Sequence, residues 1–142
     1  MSEENRDLIR RWFEEVWNQR RESAIDEMMA EDVRAHGLTP ESISSREAFR
    51  QFYRPFIAAF PSFHISVEEA YSEGDRIGFR CHVTGTHQSG KTVDFDGGGF
   101  VHIRDGKLAE GHNIWNFHEM LAQLGAIAPD ALLTAVAGAG NS

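Results

Sequence analysis

Between Lys91 and Phe117 the chain reads KTVDFDGGGFVHIRDGKLAEGHNIWNF, and this stretch constrains the fold more than any other. Apolar and polar residues alternate on both sides of Arg104-Asp105-Gly106, the pattern of two strands meeting at a tight turn. Asp-Gly suits either a two-residue loop or a three-residue loop with glycine in the left-handed conformation. The three-residue loop pairs Ile103 with Lys107, Val101 with Ala109, Gly99 with Gly111 and Gly97 with Asn113. One face then carries Val93, Phe95, Gly97, Gly99, Val101, Ile103, Ala109, Gly111, Asn113 and Trp115. The other carries Asp94, Asp96, Phe100, His102, Arg104, Leu108, Glu110 and His112. A two-residue loop slides one strand by a single position and mixes the two sets, so the three-residue loop is expected. The first face is apolar and should meet the helices. The second is charged and should meet water or a second subunit.

The rest of the chain supplies those helices. Leu8, Ile9, Trp12, Phe13, Val16 and Trp17 recur at helical spacing and predict a helix from Glu3 to Arg20. A short second helix is expected over Ser23 to Met29, and the segment from Glu31 to Gly37 reads as a loop crossing towards a third helix. Ser44 and Glu47 have capping-box spacing, and Phe49, Phe52, Tyr53, Phe56, Ile57 and Phe60 line one side of that third helix. Pro55 should kink it or delay its start, and Pro61 ends it. Four strands follow. Phe63, Ile65 and Val67 alternate in the first, Glu73-Gly74 turns into the second, and Ser89-Gly90 turns into the third. Three-residue loops throughout place Val67 opposite Cys81 and Ile65 opposite Val83 on the apolar face, with Arg80 and His82 on the polar one. His118 to Leu124 predicts a last helical turn or two, stopped by Gly125. Helices followed by strands indicate an α+β fold with the helices on one face of an antiparallel sheet. Residues 1–128 form one domain, and 129–142 predict an ill-ordered, flexible tail.

Composition excludes several classes of function. The 142 residues suit a single domain, large enough to fold without a metal or disulfide staple. The formal charge of −8 argues against a nucleic-acid partner. No apolar run reaches the roughly 20 residues of a membrane span, and the start, MSEENRDLIRR, is too polar for a signal peptide. A single cysteine, Cys81, forms no intramolecular disulfide, which suits a cytoplasmic setting.

Gly97, Gly99 and Gly111 share the apolar face, and glycines in strands mark bulges or close approaches. The volume they leave is either filled by Trp12, Trp17, Phe56 or Trp115, or open as a ligand cavity in which Asn113 needs partners. Seven histidines are present, at positions 36, 64, 82, 87, 102, 112 and 118, with no recognised metal-ligand spacing, so no metal site is expected. His112 can meet Asp96 on the outer face, a pair better suited to a dimer interface than to a pocket. Cys81 reads as a packing residue, and Asp94 and Asp96 as a solvated edge.

FPSFHISVEEAYSEGDRIGFRCHVTGTH, FVHIRDGKLAEGHNIW, MLAQLGAI and the earlier MAEDVRAHG together resemble the SnoaL-like polyketide cyclases of the nuclear-transport-factor-2-like superfamily, over about residues 5 to 127. The resemblance implies a cone-shaped, barrel-like fold, a curved sheet wrapped round the N-terminal helices over a deep apolar pocket. It also implies a homodimer through the outer sheet face, and ring closure by an aldol step without metal or cofactor. In such cyclases an aspartate on the last strand acts with a histidine and a glutamine on its neighbour. Carried across by the Asp105-Gly106-Lys107 turn, these positions fall on Asn113, Gly99 and Gly97, so all three functional side chains are missing. An amide takes no proton at neutral pH, leaving Asn113 to orient a carbonyl or water. By the same resemblance His36, after the second helix, is the candidate acid/base at the pocket mouth, a surface histidine being the alternative. Trp12, Tyr53, Phe56, Gly97, Gly99, Gly111 and Trp115 are expected to line the pocket. The expected ligand is a small hydrophobic, polyketide-like molecule, undergoing cyclisation, isomerisation or hydration. The alternatives are a non-catalytic binding protein and a structural dimer with a filled core.

Overall fold

The structure is a computed structural model and describes residues 2–138. Helix α1 (Ser2–Arg11) runs without a break into a wider, π-helical segment, Trp12–Asn18. That segment turns Trp12, Phe13, Val16 and Trp17 together into the core. The carbonyls at its end are held by Gln19 N–H on Glu14, Arg21 N–H on Glu15, and the Tyr53 hydroxyl on Val16 at 2.6 Å. Helix α2 (Ser23–Met28) leads directly into strand β1 (Met29–His36). Helix α3 (Arg46–Ala58) runs through Pro55. Its cap is Ser45, whose side chain accepts from Ala48 N–H, one residue later than the Ser44 spacing suggests. A ladder of ion pairs fixes α3 to α2, with Arg46 and Arg50 on Asp26, and Arg50 and Arg54 on Glu22.

Strands β2 (Ser62–Glu73), β3 (Arg76–Thr86), β4 (Thr92–Arg104) and β5 (Lys107–Trp115) follow as an antiparallel meander. The sheet order is β1-β5-β4-β3-β2. It is therefore an open five-stranded sheet with helices on one face, α+β as expected but not a closed barrel. The segment expected to be a crossing loop is instead β1, which pairs parallel to β5 through Arg34–Glu110, Ala35–Gly111 and His36–His112. Its alternation is only Val33 and Ala35 inward, too short to stand out among charged neighbours.

The hairpin turn also differs from expectation. Arg104 pairs with Lys107, leaving a two-residue loop in which Asp105 (φ 53°) and Gly106 (φ 73°) both adopt the left-handed conformation. This is the mirror-image turn whose twist matches paired strands. Alone it would mix the faces. A bulge at Ala109 inserts one residue, so that Ile103 pairs with Leu108 but His102 pairs with Glu110. Beyond the bulge Val101 lies opposite Gly111, Gly99 opposite Asn113 and Gly97 opposite Trp115. The apolar face survives, moved along by two residues. Leu108, placed on the polar face by the three-residue loop, is buried. Strands β2 and β3 use the same device, a Gly74-Asp75 turn with a bulge at Glu68, which restores Val67–Cys81 and Ile65–Val83.

Two side-chain amides act as strand backbone at exposed sheet edges. Asn18 takes the N–H of Ile65 (2.8 Å) and donates to its carbonyl (2.9 Å). Gln123 does the same to Asp94, at 2.7 and 2.8 Å. Helix α4 (Phe117–Gln123) is thereby fastened across β4 and ends before Gly125 (φ 79°). In the tail, Ala131–Val136 forms a helix, α5, whose Leu132, Leu133 and Val136 are exposed. The rest of the expected tail, 139–142, lies outside the described residues. No helix among the described residues is long and apolar enough to cross a membrane.

Candidate functional site

Between the helices and the inner face of the sheet lies a cavity of about 80 Å³. The π-helical segment contributes Trp12, Phe13 and Trp17, and α3 contributes Phe49, Phe52 and Phe56. The sheet contributes Phe95, Val101, Leu108, Gly111, Asn113 and Trp115. None of the lining side chains is ionisable, and Asn113 is the one carboxamide. The aromatic walls support one another by edge and tilted contacts. Trp17 meets Tyr53 at 5.0 Å and Phe56 at 5.8 Å between ring centres, and Phe13 meets Trp115 at 5.8 Å.

The Asn113 amide has a determined orientation. An indole N–H can only donate, so Trp115 Nε1 at 3.1 Å identifies its partner as Oδ1. Nδ2 then donates to the backbone carbonyl of His36 at 3.1 Å. One N–H and one oxygen lone pair remain for a ligand. The group can therefore accept from a hydroxyl and donate to a carbonyl, but it has no proton to exchange near neutral pH.

The three glycines do different things. A Cβ at Gly97 would overlap the Trp115 ring, and one at Gly99 would overlap the backbone carbonyl oxygen of His112. Neither lines the cavity. The space beside them is occupied, by an indole in one case and by a neighbouring strand in the other. Gly111 differs. A Cβ there would meet Val101 Cγ2 at 3.7 Å and Asn113 Nδ2 at 3.8 Å, ordinary contacts, and Gly111 lines the cavity.

Of the residues singled out from sequence, Trp12, Phe56, Gly111, Asn113 and Trp115 converge on the cavity. Tyr53 stands behind the wall with its hydroxyl on Val16. The side chain of His36 lies on the opposite face of the sheet, where Nδ1 meets Ser42 Oγ at 2.6 Å and Nε2 meets Glu110 Oε2 at 2.7 Å. His112 stacks on it, with ring centres 4.7 Å apart. The expected His112–Asp96 pair does not form. The β4–β5 register puts His112 opposite Phe100, while β3 brings His82 to Asp96. His82 is held between two carboxylates, Asp96 at 2.5 Å and Asp94 at 2.9 Å. The hydrogen bond to Asp96, helped by the charge of Asp94, raises its pKa above the ordinary histidine value.

Met29, Val33, Ala35, Leu38 and Leu108 line the cavity without having been singled out. The first three lie on β1, and the Val33/Ala35 alternation was their only signal. Leu108 needed the bulge.

A profile of the SnoaL-like polyketide cyclase family matches residues 7–124. Among solved structures, a protein from Jannaschia sp. CCS1 described as a SnoaL-like polyketide cyclase superposes with a TM-score of 0.80 at 20% identity, over 89% of this chain and 94% of its own. One from Bacillus cereus ATCC 10987 described as a polyketide cyclase gives 0.79 at 26%, over 88% and 83%. IdmH from Streptomyces antibioticus, also described as a polyketide cyclase, gives 0.75 at 25%, over 85% and 98%. No curated protein matches the chain.

Proposed function

The chain belongs to the SnoaL-like polyketide cyclase family, and from that premise we propose that its cavity takes a small, largely apolar, polyketide-like molecule and orients it by one carbonyl or hydroxyl on Asn113. The observation that carries this reading is the lining: aromatic and aliphatic walls around a single carboxamide whose remaining donor and acceptor are free. Sites of this make-up bind apolar ligands and use few polar groups to set orientation. The volume bounds the ligand. About 80 Å³ is several times the ~10–15 Å³ one water needs, yet well below the several hundred Å³ of drug-sized sites. A fused-ring ligand enters only if aromatic side chains such as Phe52 and Phe56 swing aside.

With no ionisable side chain in the lining, the proposed contribution to cyclisation or isomerisation is positioning. A flexible chain held folded reacts faster because its ordering entropy has already been spent. The same absence favours a second reading, a binding protein without turnover. Titrating the intrinsic fluorescence of Trp12, Trp17 and Trp115 with phenol, 1-naphthol and anthraquinone tests the shared claim. Saturable quenching, weakened in Asn113→Ala, is expected. Quenching by none of the three would overturn both readings. Product formation from a linear polyketide mimic then separates enzyme from binder.

We also propose that two copies pair through the outer sheet face. Tyr71, Gly78 and Phe100 form one row across it, and Ile114 follows on β5. Phe100 and Ile114 are 60% and 63% exposed.

A further inference from the structure

We propose that His36, Glu110 and His112 bind a divalent transition-metal ion of the zinc class on the outer face of the sheet, away from the cavity. The site arises from the parallel pairing of β1 with β5. Glu110 and His112 are two apart on β5 and share its outer face, and the register sets His36 beside His112. One ligand atom from each lies within 4.8 Å of the others.

The geometry is that of a metal site short of closure. His36 Nε2 and Glu110 Oε2 already converge at 2.7 Å. Ligands around a tetrahedral ion with bonds of about 2.0–2.1 Å stand about 3.4 Å apart, so the pair has room to open around an ion. His112 is exposed, and rotation of its side chain swings a ring nitrogen towards the other two. Two imidazoles and a carboxylate are an open zinc-type ligand set that leaves a coordination position for water. Imidazole nitrogen selects zinc, cobalt, nickel or copper over magnesium or calcium.

A supporting partner is also in place. Ser42 Oγ sits 2.6 Å from His36 Nδ1. When a metal takes Nε2, Nδ1 keeps its proton and donates it in a hydrogen bond to Ser42 Oγ, the arrangement that orients metal-bound histidines. The backbone of the same His36 holds Asn113 in the cavity wall. An ion here therefore fastens the end of β1 that positions the cavity's one carboxamide.

Untagged, full-length protein titrated with Zn²⁺ by calorimetry, and with Co²⁺ by visible absorption, tests this. One ion per chain is expected, with affinity lowered at least about tenfold in each of His36→Ala, Glu110→Gln and His112→Ala, and roughly tenfold in Ser42→Ala. His82→Ala, on another part of the same face, should leave binding unchanged. His112 is an exposed strand residue, so its alanine variant keeps the fold, checked by far-ultraviolet circular dichroism. No saturable binding up to millimolar Zn²⁺, or binding that His112→Ala leaves intact, would overturn the proposal.

Discussion

The indole of Trp115 donates to Oδ1 of Asn113 at 3.1 Å, and that one bond decides which end of the amide faces the backbone of His36. Asn113→Asp places a second oxygen against the His36 carbonyl. Only the protonated acid can donate there, and the apolar walls also disfavour its charge, so the folded pKa rises above the ordinary value of about 3.9. A raised folded pKa means stability that is complete below the unfolded pKa and lost as pH rises through the folded one. Urea denaturation should therefore show Asn113→Asp near the parent at about pH 3.5, below the unfolded value, and about 1–3 kcal/mol less stable at pH 8. An equal deficit at both pH values would contradict this account of the amide.

Gly97 and Gly99 stand where the family resemblance places a glutamine and a histidine, but their space is taken. Gly99→Ala drives a methyl into the His112 carbonyl and should cost about 1–3 kcal/mol. Gly97→Ala should displace Trp115 and shift its fluorescence. Gly111→Ala meets only ordinary contacts and should change stability by less than about 1 kcal/mol while shrinking the cavity. Thermal melts of the three variants check the order, and a Gly99→Ala as stable as Gly111→Ala would refute it.

Asp96 and Asp94 raise the folded pKa of His82 above its unfolded value near 6.5. The stabilisation is fully present below about pH 6.5 and fades as pH climbs through the folded value. His82→Ala should consequently lose more stability at pH 5.5 than at pH 9. An NMR titration of the His82 ring should place its midpoint above 6.5. A midpoint at or below that value would remove the basis of the prediction.

Much of this was readable because strand faces have period two. The Lys91–Phe117 alternation assigns Val93, Phe95, Gly111, Asn113 and Trp115 to the inner face, although the loop has two residues rather than three. A two-residue turn plus one bulged residue shifts the register by an even number, so the faces hold while the partners change. Leu108, next to the bulge, is the exception, expected on the polar face but buried. Strand β1 was illegible because its partner lies over seventy residues away and its inward side chains are only Val33 and Ala35. Missing β1 hid the His36–Glu110–His112 cluster and turned the His36 side chain towards a cavity it does not enter. The glycines showed where backbone or rings come close, but not which neighbour fills the gap.

Phe100→Glu with Ile114→Glu sets two carboxylates on the outer row, where each parent side chain is already mostly exposed. The fold should tolerate them, as far-ultraviolet circular dichroism would show. Light scattering should show the parent as a dimer and the double variant as a monomer. A monomeric parent would rule out pairing through this face.

The proposed hold of the Asn113 carboxamide on a ligand in the aromatic cavity can be followed at the amide itself. Its most direct test follows the Asn113 side-chain NH₂ resonances by ¹⁵N–¹H NMR during titration with 1-naphthol, alongside the indole resonances of Trp12, Trp17 and Trp115. The amide pair and the three indoles should shift together and saturate at the same ligand concentration. Indoles that shift while the Asn113 pair stays fixed, or a saturating ligand that moves neither, would contradict it.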